Sequence, residues 1–170
     1  MTGPRIPLPD DPSVPKYGTP IDYAVADFAA TAMRAERLDP VVTELVRLRC
    51  ARIHDCRLCR SLRTAPDRLD EETAAKIDHY EASDLPERAK VALRLTDAVI
   101  LDPAGAGPEL RTAAHAHFTP AEIGELLLDV VKWSQQKASV ALRIEPPPHE
   151  GLSRLRFDAS GHPSIGAPLG

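Results

Sequence analysis

No apolar run approaches the roughly 18 residues of a membrane-spanning helix, and the opening "MTGPRIPLPDDPSVPK" lacks the apolar stretch of a secretory signal. The expectation is therefore a cytoplasmic chain with no membrane role. Positive charge is not in excess either: 21 Lys and Arg stand against 25 Asp and Glu, a formal net charge of -4. That balance argues against a nucleic-acid surface as the main business of the chain. Cysteine is sparse, and its count of three is odd, which excludes a secreted disulfide scaffold; in a reducing compartment a close pair points instead to catalysis or metal binding. Also missing are any stretch alternating β-branched with polar residues, any internal repeat, any second C-x-x-C and any H-x-x-x-H. No sheet is expected.

With 170 residues the chain has the size of one domain that can bury a core without staples. Proline marks its limits. Six of the 17 prolines fall in residues 1–20 and five in 146–168, which reads as two extended arms, 1–20 and 146–170, around a domain at 21–145. Such arms are mobile or lie on a neighbouring surface, often another subunit's, and Ile6, Leu8, Val14 and Tyr17 favour the second for the N-terminal arm.

The domain reads as all-α. "IDYAVADFAATAMRAERL" places Ile21, Val25, Phe28, Ala29, Ala32 and Met33 on one face. Asp39 and Pro40 then supply an N-cap and first-turn proline for "PVVTELVRLRCARI". A short helix starts near Cys56, Asp70 caps another, and Asp84 with Glu87 resembles a capping box for "DLPERAKVALRLTDAVILD". After a shorter "GPELRTAAHAHF", Thr119, Pro120 and Glu122 open the longest helix, "PAEIGELLLDVVKWSQQKASVALRI", stopped by the prolines at 146–148.

Chemistry concentrates in "HDCRLCRSLR", residues 54–63. At a helix N-terminus, backbone amides and the dipole stabilise the first thiolate of a C-x-x-C pair, while the second sits one turn on, within reach for a disulfide. Arg47, Arg49, Arg52, Arg57, Arg60, Arg63 and Arg68 crowd the region against only Asp55 and Asp67. This local charge depresses the thiol pKa or is simply a solvated face. Half a zinc site and structural cysteines are the competing readings; a zinc site lacks two further ligands, since Cys50, His54 and His79 fall in no metal-binding spacing. Cys50 reads as core. His115 and His117, two apart on a helix, point to different faces and suit packing or capping, and Trp133 suits core or a subunit interface.

Glu44, then Cys56 twelve residues on, then Cys59, in an all-helical chain of this size, resembles the AhpD-like (alkylhydroperoxidase D) branch of the carboxymuconolactone decarboxylase superfamily, with its pattern E-x11-C-x-x-C-x-x-x-H. "LRCARIHDCRLC", "LPERAKVALRLTDAVI" and "HFTPAEIGELLLDVV" extend the likeness over residues 20–146. The resemblance implies an all-α fold assembling as a homo-oligomer (dimer, trimer or hexamer). It also implies peroxidase activity on a small hydroperoxide, with a dithiol or protein disulfide reductant as partner and neither cofactor nor metal. Carried over, Cys59 attacks the peroxide, Cys56 resolves it, and Glu44 belongs to the proton relay.

The sequence departs from that pattern at the relay histidine, where Arg63 stands, and between the cysteines, where Leu58 replaces a frequent histidine. Arginine stays protonated and cannot act as a base, though it can stabilise a thiolate. An ion pair between Glu44 and Arg63 is expected in place of the relay, with His54 as substitute proton carrier. Two alternatives stand beside the peroxidase: an oligomeric redox-sensing or binding protein that has lost turnover, and, ranked lower, a decarboxylase of the superfamily's other type, whose members keep the histidine and lack the cysteine pair.

Overall fold

The computed structural model describes Arg5 and residues 20–169; the expected N-terminal arm otherwise lies outside the described residues. The elements in order are α1 (Pro20–Ala32), α2 (Pro40–Ile53), α3 (Arg57–Arg60), β1 (Leu62–Arg63), α4 (Glu71–Ala75) with a 3-10 turn (Lys76–Ala82), α5 (Glu87–Leu101), α6 (Pro108–His117), α7 (Pro120–Ser134), α8 (Lys137–Leu142), β2 (Ser153–Phe157) and β3 (Pro163–Pro168). Helices dominate, as the sequence indicates.

The second helix is central because it is apolar on two sides. Val42, Val46 and Cys50 face Val91 and Leu95 of α5 and Leu126 and Val130 of α7, while Leu45 and Leu48 face Ile77, Tyr80 and Leu93. The stripe left between these faces carries Glu44 and Arg47, also buried. Capping fixes where the helices begin. The Asp39 carboxylate accepts the Val41 and Val42 amides ahead of Pro40; Asp70 accepts the Thr73 amide; Thr119 and Glu122 form a reciprocal capping box for α7.

Three local expectations are corrected. Asp84 does not cap α5: Pro86 occupies the N-cap, Asp84 pairs with Lys76 at 2.7 Å, and Glu87 turns to Arg94. The longest helix is two, because the chain turns at Gln135–Gln136 and Arg143 closes α8 in the left-handed region (φ 57°). A small sheet exists, order β1-β2-β3: Leu62 and Arg63 pair in parallel with Ser153 and Arg154, and β2 continues antiparallel to β3. In "SRLRF" Leu155 is buried between outward arginines, a short alternation among C-terminal prolines. Pro163 and Pro168 end the edge strand β3, where a missing N–H costs no ladder bond. Residues 153–168, expected as extended arm, thus form a hairpin joined to the segment after α3. Among the described residues no helix is long and apolar enough to cross a membrane.

The junction of α2 and α7 should dominate stability. Leu126 is fully buried there, so Leu126→Ala is expected to lower the unfolding free energy by about 2–5 kcal/mol, measured by urea denaturation.

Candidate functional site

The chain leaves α2 through a Schellman motif. Asp55 adopts the left-handed region (φ 51°), which Asp tolerates better than most residues. Its amide reaches the Arg52 carbonyl, and the Cys56 amide reaches Ala51. This turn delivers Cys56 to the N-cap of α3, where its sulfur accepts the Cys59 amide at 3.2 Å. Cys56 and Cys59 are disulfide-bonded, with Cα atoms 5.3 Å apart. They are not equivalent: Cys56 is fully buried, whereas Cys59 is partly exposed. Cys50 is the core thiol the sequence suggests, buried and pushed up to about 12 by desolvation.

Glu44 lies on α2 behind this helix. Both its oxygens bind Arg47, at 2.7 and 2.8 Å, and both accept from Thr64, one from the amide at 3.1 Å and one from the hydroxyl. Burial alone raises a carboxyl pKa, but the Arg47 charge and these hydrogen bonds outweigh it and hold Glu44 below its ordinary value. Arg47 then reaches over the backbone that follows the cysteines, donating to the carbonyls of Cys59 (2.8 Å) and Leu62.

The expected Glu44–Arg63 ion pair does not form. Arg63 instead pairs with Glu71 through two 2.6 Å bonds and donates to the carbonyls of Arg60 and Leu62. That pair requires the helix after the turn to run on antiparallel to α2 as far as Arg63. In fact α3 lasts four residues, the chain becomes extended at Leu62, and Arg63 points towards the start of α4 while Thr64 turns back to Glu44. His54 caps the C-terminus of α2 and meets the Ser134 hydroxyl at 3.1 Å. Burial and the Lys137 charge lower it to about 4, so it is neutral at neutral pH and a weak proton acceptor.

Sequence reasoning missed three participants. Arg47 was visible only as one of many local arginines, although its i,i+3 spacing from Glu44 signals the pair. Thr64 had no signal. Nor did Glu145, which is 2% exposed and approaches α3 from just beyond α8: its carbonyl accepts the Leu58 amide at 3.1 Å and its carboxylate binds Arg57 at 2.9 Å. The Trp133 ring meets the Arg47 guanidinium and the Lys132 amine and lies edge-on to Phe157, a packing role. His117 offers its carbonyl to Arg88, whose guanidinium covers buried Phe118. Among the described residues no three His, Cys, Asp or Glu side chains converge as metal ligands.

No family model matches the sequence. Two uncharacterized proteins of Mycobacterium tuberculosis, MT2376 from strain CDC 1551 / Oshkosh and Rv2313c from strain H37Rv, are each 35% identical over 156 residues, covering 88% of this chain and 55% of theirs. The chain spans about half the length of the curated relatives it matches. Among solved structures, ATU0492 from Agrobacterium tumefaciens superposes with a TM-score of 0.66 over 78% of this chain and 95% of its own, at 20% identity. That protein, of unknown function, is provisionally described as the antioxidant defence protein AhpD. The fold of the present chain is AhpD-like. The AhpD-like helices therefore provide the frame in which the cysteine pair, Glu44 and Arg47 meet.

Replacing Glu44 by Gln leaves the buried Arg47 guanidinium unpaired and is expected to cost about 3–5 kcal/mol at neutral pH. Because the folded state lowers the Glu44 pKa, its contribution is complete above the ordinary value of 4.5 and disappears as pH falls through the lower folded value. Urea titrations at several pH values should show the gap between wild type and Glu44→Gln closing below that point.

Proposed function

We propose that the chain is a dithiol oxidoreductase that reduces small hydroperoxides through Cys59 and Cys56. The observation that carries this reading is the pair itself: two sulfurs at bonding distance on the first turn of a helix, one partly open to solvent and one buried. The AhpD-like frame and the provisional antioxidant description of ATU0492 support it.

In this reaction the Cys59 thiolate attacks the terminal peroxide oxygen. The O–O bond breaks, the alkoxide leaves and takes a proton to become an alcohol, and Cys59 becomes a sulfenic acid. The Cys56 sulfur then displaces that oxygen as water, its own proton leaving with it, and the disulfide forms. An external dithiol or protein disulfide reductant returns two electrons and two protons. The exposure of the sulfurs supports the order, since the partly open Cys59 suits the attack and the buried Cys56 the resolution. Glu44 acts by holding Arg47 on the Cys59 and Leu62 carbonyls, which keeps α3 in place. The dithiol cycle itself calls for no cofactor. Reductant supply fits the cytoplasm. A homo-oligomer fits the apolar side chains left exposed on α1 and α7, among them Ile21, Val25, Leu128 and Val131.

A redox-sensing role is the second reading, favoured by one observation: Arg63, at the position of the relay histidine, is committed to Glu71 and backbone carbonyls, so no base stands there. Peroxide consumption with a dithiol reductant separates the two. The peroxidase is expected to turn over; Cys59→Ser should abolish consumption, and Cys56→Ser should accumulate a sulfenic acid trapped by dimedone. Rapid oxidation without turnover would establish the sensor, and no oxidation of either thiol at millimolar peroxide would refute both.

A further inference from the structure

The contact made by Glu145 on the C-x-x-C helix has no counterpart in the motif. Its carboxylate is 2% exposed and binds the Arg57 guanidinium through Nε and Nη2, while Arg57 itself is 43% exposed. Arg57 directly follows Cys56, and the Glu145 carbonyl takes the amide of Leu58, the residue between Arg57 and Cys59. An ion pair buried at one end and wet at the other is unevenly screened. Water weakens the field of the guanidinium, and the carboxylate keeps more of its own.

The other charges around the dithiol form a fixed background. Asp55 and Arg60 pair with each other at 2.8 Å, both well exposed. Arg47 faces α3 from α2 already neutralised by Glu44. His54, ahead of the pair, is neutral at neutral pH. Arg63 is the converse case, a guanidinium 7% exposed whose partner Glu71 is 56% exposed; it meets α3 at the Arg60 carbonyl, the end away from Arg57, and is the same in every variant compared below. Glu145 is thus the buried carboxylate that touches α3 and whose partner is exposed.

We infer that Glu145 is a positioning residue whose buried charge, held against α3 by Arg57, restrains ionisation of the Cys56–Cys59 dithiol. This rests on the reading of that pair as the reactive centre. Removing the carboxylate frees the guanidinium to favour thiolate, whereas removing the guanidinium leaves an unpaired anion against the helix that carries the sulfurs and disfavours it. The two halves of one ion pair therefore act with opposite sign. A clamp that merely keeps the helix in place would give the same sign for either loss.

The test is the pH profile of iodoacetamide alkylation of the reduced protein, in wild type, Glu145→Gln, Arg57→Gln and the double variant. Cys50 is silent in this range because burial holds its thiol near 12. The expected result is an ionisation constant raised about threefold in Glu145→Gln and lowered about threefold in Arg57→Gln, with the double variant close to wild type. Shifts in one direction for both single variants, or no shift in either, would overturn the inference. Should Glu145→Gln fail to fold, Arg57→Gln decides alone, since that side chain is exposed: a lowered constant supports the inference, and an unchanged or raised one refutes it. Alkylation needs no peroxide, so a chain that cannot turn over peroxide still answers here, and an active peroxidase with unmoved profiles refutes only the role of Glu145.

Discussion

Everything near the cysteines depends on one buried ion pair. The side chains of Glu44 and Arg47 are 0% and 1% exposed, and a pair taken so far from water persists only if its remaining hydrogen-bonding capacity is satisfied. Here the satisfaction comes from Thr64 on the carboxylate and from the Cys59 and Leu62 carbonyls on the guanidinium. The segment after the cysteines is therefore the solvent of this pair. A helix of four residues has little stability of its own; α3 holds its place because the Cys59 carbonyl within it and the Leu62 carbonyl just beyond it complete a charge that α2 has already buried.

A second tie reaches the same helix from the opposite end of the chain. Glu145 binds the first turn of α3, and the sheet joins Leu62 and Arg63 to Ser153 and Arg154. The C-x-x-C turn is thus suspended between α2 and the C-terminal hairpin. Any change in its sulfur chemistry bears on both attachments, and substitutions far away in sequence can alter the environment of the thiols. The local arginines divide accordingly: Arg47, Arg57 and Arg63 each have a separate carboxylate partner, so the apparent positive cluster is largely neutralised pair by pair.

Helix periodicity and capping residues made most of the fold legible. Asp39 before Pro40, Asp70, and Thr119 with Glu122 are local interactions whose partners lie within three residues, and each caps its helix as its spacing indicates. The pair of cysteines on a helix start was equally local. What escaped depends on distant or competing partners. Asp84 could cap α5 or bind Lys76, and pattern alone does not decide between them. Arg63 reaches Glu44 only along a continuing helix, but the chain turns extended at Leu62, and the hydroxyl of Thr64 takes that place. Glu145 follows the last helix, 88 residues from Arg57, and no spacing rule connects them. The β2 alternation is short, and its partner β1 is only two residues long.

The central claim is that Cys56 and Cys59 form a working dithiol rather than two structural sulfurs. Intact-mass measurement of the fully reduced protein before and after one equivalent of hydroperoxide tests it most directly. The account predicts that the chain loses two hydrogens, with the loss located by proteolysis in the peptide holding both cysteines and reversed by a dithiol. An unchanged mass, or oxygen retained on another residue while both thiols stay free, would contradict it.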